Sequence, residues 1–77
     1  MQSEELRRVL GSNIRRRRLE LGLTQEQLAE RLNVTQGYIS DLEKGKRAPL
    51  LKTLAEFSEI LQVSPSTLLA PISAAVA

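Results

Sequence analysis

The sequence has no cysteine, no histidine and no tryptophan, and its only aromatic residues are Tyr38 and Phe57. Without cysteine, neither a disulfide nor a thiolate metal site can staple a small fold. Without histidine, the chain lacks the commonest general base and the commonest metal ligand. No phosphate-cradling glycine loop and no cluster of carboxylates takes their place, so an enzyme is not expected and no cofactor or metal is implied. No apolar run approaches the roughly 18 residues a membrane span needs. Residues 1–8 also lack the apolar core of a secretory leader. These absences lead us to expect a soluble, cytoplasmic chain with no membrane partner. Strand signals are sparse as well: no run alternates apolar with polar, and no Asn-Gly or Asp-Gly turn occurs.

What remains is helical periodicity along a chain of 77 residues, enough for one small domain. A chain this short buries only about 60% of its unfolded surface, so its core must be thin. The first helix is expected over Ser3 to Leu21, with the apolar row Leu6, Leu10, Ile14 and Leu21, and with Gly22 as its left-handed stop. Thr24 and Gln27 have the spacing of a capping box opening a second helix, whose inward face is Leu28, Ala29 and Leu32. Asn33 suits a left-handed turn, Val34 plugs it, and Thr35 caps a third helix over Gln36 to Lys44 that packs Tyr38, Ile39 and Leu42. Gly45 ends that helix and a basic loop, Lys46-Arg47-Ala48-Pro49, follows. A fourth helix over Leu50 to Leu61 should turn Leu51, Leu54, Ala55, Phe57 (or Ser58) and Leu61 inward. Ser64-Pro65 is a strong start for a short fifth helix carrying Leu68 and Leu69. The expected fold is all-α, a compact five-helix bundle over residues 1–69, with residues 70–77 a tail or linker.

Net charge is only +2, but six basic side chains (Arg7, Arg8, Arg15, Arg16, Arg17, Arg18) lie in residues 1–21 against three acidic ones. Such an end either faces phosphate or is a solvated helix with spare arginines. Two charges fall on apolar rows. Arg18 lies four residues after Ile14, and Glu43 lies four after Ile39. Buried charge is tolerated mainly when paired, so the periodicity predicts an Arg18–Glu43 ion pair pinning the first helix to the end of the third.

The segment from Thr24 to Glu43 thus reads as two short helices joined by a tight turn, the second with an outward polar face. A narrow helix with polar side chains near its start is what major-groove reading requires. Gln36 can pair two-pronged with adenine, and Asp41 can accept from cytosine N4, although near phosphates its charge also repels; Ser40 continues this face. Gly37 allows close approach of backbone to DNA, or marks a first turn where glycine costs little. Gln25 and Thr35 sit at helix mouths whose free amides favour an anion. Lys44, Lys46 and Arg47 form a second phosphate clamp, a positioning role rather than a reading one. Tyr38 either packs against the second helix or offers its hydroxyl to a phosphate or its ring to a thymine methyl.

At this point the sequence resembles the phage repressor and Cro-like (Xre-type) helix-turn-helix family. The resemblance is carried by Ile14-x3-Arg18-Leu19-x-Leu-Gly-Leu-Thr-Gln-x2-Leu-Ala, by Tyr38-Ile-Ser-Asp-Leu-Glu-Lys-Gly, and by Leu54-Ala-x5-Leu61-x-Val-Ser-x3-Leu-Leu69. It covers roughly residues 10–69. It implies a lambda-repressor-like five-helix domain and a bacterial or phage-encoded, nucleoid-associated regulator. It also implies a homodimer on an inverted repeat of double-stranded DNA, Gln25 on phosphate, and Gln36, Gly37 and Asp41 facing bases. The Arg18 and Glu43 positions match a structural pair in such repressors. Asn33, Leu50 and Gln62 depart from the family pattern, the last two where relatives have a helix cap and a glycine. Standalone repressors, restriction–modification controllers, autoregulating antitoxins and the N-terminal reader of a longer regulator all fit. A protein-interaction module or transcriptional adaptor on the same fold is the alternative from another class, with Leu50, Leu69, Ile72 and Val76 as its patch.

Overall fold

In a computed structural model, which describes residues 3–71, the chain forms five α-helices: α1 (Ser3–Glu20), α2 (Gln25–Leu32), α3 (Gln36–Glu43), α4 (Leu51–Leu61) and α5 (Pro65–Leu69). No strand occurs among the described residues. Local chemistry sets the boundaries. Thr24 accepts from the Gln27 amide at 3.0 Å and Gln27 Oε1 accepts from the Thr24 amide at 2.9 Å, a closed capping box. Thr35 Oγ1 accepts from the Tyr38 amide and Ser64 Oγ from the Thr67 amide, with Pro65 in the first turn of α5. Leu50, at the head of α4, supplies no side-chain cap.

The first four helices end the same way. Gly22, Asn33, Gly45 and Gln62 all have positive φ. The residue after each donates its amide back to a carbonyl five positions earlier: Leu23 to Arg18, Val34 to Ala29, Lys46 to Asp41, Val63 to Ser58. This is the Schellman closure. Gln62 therefore does the work usually given to glycine, and α4 still stops at Leu61.

The core is one cluster built from Leu10, Ile14, Leu28, Ala29, Leu32, Ile39, Leu42, Leu54, Phe57, Leu61 and Leu68. Three apolar positions read as inward are not. Leu51 is 82% exposed, Ala55 is exposed, and Leu6 lies at the surface beside a groove lined by Leu10, Leu54 and Leu69. Leu54 turns into the core, whereas Leu51 and Ala55 lie on the side of α4 that no other described element covers. Helix ends also differ by a residue: α1 stops at Glu20, α3 at Glu43, and α4 starts at Leu51.

Two α1 residues not singled out from the sequence hold the bundle. A methyl group on Gly11 would lie 2.1 Å from the Leu42 carbonyl oxygen and 2.9 Å from that of Glu43, so only glycine lets α1 cross the end of α3 this closely. Asn13 is buried and donates from Nδ2 to the carbonyls of Leu68 and Ala70, both at 2.8 Å. It satisfies carbonyls at the end of α5 that the helix leaves open. The fastening reaches Ala70, the first residue of the expected tail; Ile72 and Val76 lie outside the described residues.

Candidate nucleic-acid interface

α3 has two faces. Ile39 and Leu42 point into the core, at 0% and 1% exposure. Gln36 and Gly37 are exposed, and Ser40 and Asp41, one turn further on, are half-buried. The helix is regular from Gln36, and a methyl group at Gly37 would meet no heavy atom of the described residues within 4 Å. No packing among the described residues asks for glycine there, and its backbone carries no side chain on the outward side.

What holds α3 at its angle is a buried polar network. Arg18 donates from Nε to Glu43 Oε2 at 2.6 Å and from Nη2 to Oε1 at 3.0 Å, a two-pronged pair with side chains 8% and 3% exposed. Its Nη1 donates to the Leu23 carbonyl at 2.8 Å. Gln25 Nε2 donates to the same Glu43 Oε1 at 3.0 Å. One carboxylate thus ties together α1, the mouth of α2 and the end of α3. It also occupies one of Gln25's two amide protons, leaving the other for an outside acceptor. Thr35's hydroxyl oxygen is used as a cap, and its proton is still available to donate.

The basic run of α1 is partly tied into the fold, with Arg8 and Arg15 left exposed. Besides Arg18, Arg17 Nε donates to the Leu61 carbonyl at 2.8 Å, Arg16 donates to Asn13 Oδ1 at 3.1 Å, and Arg7 donates to the Gly45 carbonyl. The Arg17 and Arg7 guanidiniums thus bond carbonyls at the ends of α4 and α3, while Arg16 stays within α1. The exposed cations next to α3 are Lys44, Lys46 and Arg47. The Arg47 guanidinium lies 5.2 Å from the centre of the Tyr38 ring, and its Nε lies 4.0 Å from Asp41 Oδ2. Tyr38 itself packs against the core cluster, its ring half-buried. Among the described residues no group of acidic side chains is arranged to hold a metal ion, and no helix is long and apolar enough to cross a membrane.

Two capped helices joined by a left-handed turn, with a polar outer face on the second, define a helix-turn-helix DNA-binding domain. Comparison with known proteins agrees. The helix-turn-helix family HTH_3 matches residues 14–68. An HTH-type transcriptional regulator of Sinorhizobium fredii, y4dJ, is 43% identical over 67 residues, covering 87% of each chain. The immunity repressor of Bacillus phage phi105 is 36% identical over 59 residues, covering 77% of this chain and 41% of its own length. The crystal structure of a hypothetical transcription factor, NHTF, from Neisseria superposes with a TM-score of 0.88 at 28% identity, covering 99% of this chain and 87% of that one. The chain belongs to the HTH_3 helix-turn-helix family of DNA-binding transcription regulators, which are not enzymes.

Proposed function

We propose that the chain is a transcriptional repressor that binds an inverted-repeat operator as a homodimer, with α3 in the major groove, in a bacterial cytoplasm at the nucleoid. The observation that carries this is the division of α3: Ile39 and Leu42 are closed into the core, while Gln36, Gly37, Ser40 and Asp41 stand outward on a helix fixed by the Arg18–Glu43 pair. Gln36 reads a base edge, two-pronged where the base is adenine, and the bare backbone of Gly37 lets the helix approach closely. Gln25, Thr35, Lys44 and Lys46 hold phosphates on either side and set register. The phage relative's name as an immunity repressor supports the sense of regulation.

Dimerisation is supported by the leucines at the head of α4. Leu50 and Leu51 are 77% and 82% exposed, beside a groove lined by Leu6, Leu10, Leu54 and Leu69. A two-fold arrangement that set the leucines of one copy into the groove of the other would cover both surfaces in each copy. The described body measures 32 × 22 × 19 Å, with one α3 for one half-site. Two copies would place their third helices about 34 Å apart, one turn of DNA.

Selection of sites from randomised duplex DNA at near-physiological salt tests this reading. It predicts enrichment of an inverted repeat with half-site centres about 10 base pairs apart. Salt-sensitive background binding with no enriched sequence would contradict it.

A further inference from the structure

Arg47 leaves the backbone in the loop after α3, yet its guanidinium belongs to the α3 face. It lies 5.2 Å from the Tyr38 ring centre and 4.0 Å from Asp41 Oδ2. Tyr38 and Asp41 are three residues apart, neighbours on one side of the helix. Asp41 is therefore not a lone carboxylate facing phosphate: the adjacent cation offsets its charge. Asp41 meets the guanidinium at Nε, which leaves the fork of Nη1 and Nη2 uncommitted among the described residues. That fork is the donor pair that matches guanine O6 and N7 in the major groove, a match a lysine cannot make. Gly37, one turn before Asp41, puts no side chain in the way.

We propose that Arg47 is a specificity-determining residue that reads one guanine per half-site, with Asp41 and Tyr38 as the positioning residues that aim it. The inference rests on the DNA reading proposed above and goes beyond it by fixing a base. The nearby Asp41 carboxylate and the Tyr38 ring draw the guanidinium toward the outward face of α3, where base edges rather than phosphates would lie. The two contacts are those of exposed side chains, a 4.0 Å approach to a carboxylate and a ring 5.2 Å away, and they bias the guanidinium toward the α3 face.

The test uses duplexes selected by the wild-type protein. Dissociation constants are measured for wild type, Arg47→Lys, Arg47→Ala and Asp41→Asn on three kinds of site: the selected duplex, duplexes with each fixed guanine exchanged, and duplexes with 7-deazaguanine at that position, which lacks the N7 acceptor. Thermal melting of each variant reports folding; Arg47 is an exposed side chain, and its variants should melt with the wild type. At one guanine per half-site, the wild type should lose about tenfold in affinity on base exchange or on loss of N7. Arg47→Lys, although it keeps the charge, and Arg47→Ala should bind guanine, 7-deazaguanine and exchanged duplexes within about twofold of one another. Asp41→Asn should keep or gain affinity for all duplexes while discriminating guanine less.

A uniform loss for Arg47→Ala, with the guanine and N7 effects intact, would make Arg47 a phosphate contact and overturn the inference while the DNA reading stands. A selected motif with no fixed guanine would overturn it too. Failure of the wild type to select any sequence would overturn the DNA reading and this inference together.

Discussion

At the scale of single residues, Glu43 has the widest consequences. Its carboxylate accepts from Arg18 at both oxygens and from Gln25 at one, almost wholly out of water. Removing one partner leaves the other charge buried and unpaired, so Glu43→Gln or Arg18→Met should cost about 3–5 kcal/mol. A double-mutant cycle by chemical denaturation checks the coupling, and near-zero coupling would show that the pair holds nothing. Gly11 is the second such residue. Gly11→Ala puts a methyl on top of the Leu42 carbonyl, which α1 can relieve only by backing away from α3. The expected loss is about 1–3 kcal/mol or more, read by thermal melting, with DNA affinity falling further because the reading helix tilts. Alanine's higher helix propensity makes the opposite prediction, and the 2.1 Å approach decides against it.

At the scale of elements, helix starts and stops were legible in the sequence because they are local chemistry. Thr24 with Gln27, Thr35, Ser64-Pro65, Gly22 and Asn33 announce caps and turns within a few residues of chain. The Arg18–Glu43 geometry was legible for a related reason: charges on apolar rows must find one another. Gly11 and Asn13 were not, because what they answer to, the Leu42 carbonyl and the end of α5, is distant along the chain. Leu51 and Ala55 misled because apolar spacing says which side of a helix is greasy, not whether anything lies opposite. The arginine run divides in a way composition does not show: Arg17 and Arg18 bond the Leu61 carbonyl and Glu43, while Arg8 and Arg15 are exposed. In the reading face, the polar side of α3 was visible, but the folding of Arg47 back over Tyr38 was not, since it depends on the path of the loop.

The common Schellman ending yields an element-scale prediction. Gln62 holds a φ of 60° with a full side chain that is exposed at the turn it closes. Left-handed backbone costs a residue with a Cβ roughly 1–2 kcal/mol. Gln62→Gly should therefore stabilise the domain by about 1 kcal/mol, a rise of about 4–8 °C in melting temperature for a chain of this size. A fall in melting temperature would show that the Gln62 side chain does more than close the turn.

At the scale of the whole molecule, net charge is nearly balanced, and attraction to DNA depends on where the cations are. Arg16, Arg17 and Arg18 make bonds within the fold, so they contribute little to counterion release. The lysines beside α3 are exposed, and the proposed reading assigns phosphate contact to them. Lys46→Ala should weaken binding to all sequences alike and lower the slope of log affinity against log salt by about one, with base preference unchanged. An unchanged slope would move the phosphate contact elsewhere.

The central claim is that α3 reads base edges through its outward face. Its most direct measurement is the affinity of Gln36→Ala, beside wild type, for the selected operator and for every single-base variant of it. The account predicts a loss of about 1–3 kcal/mol on the best site and a collapse of preference at one base pair per half-site, with the others intact. Unchanged affinity together with an unchanged preference profile would contradict the placement of α3 in the major groove.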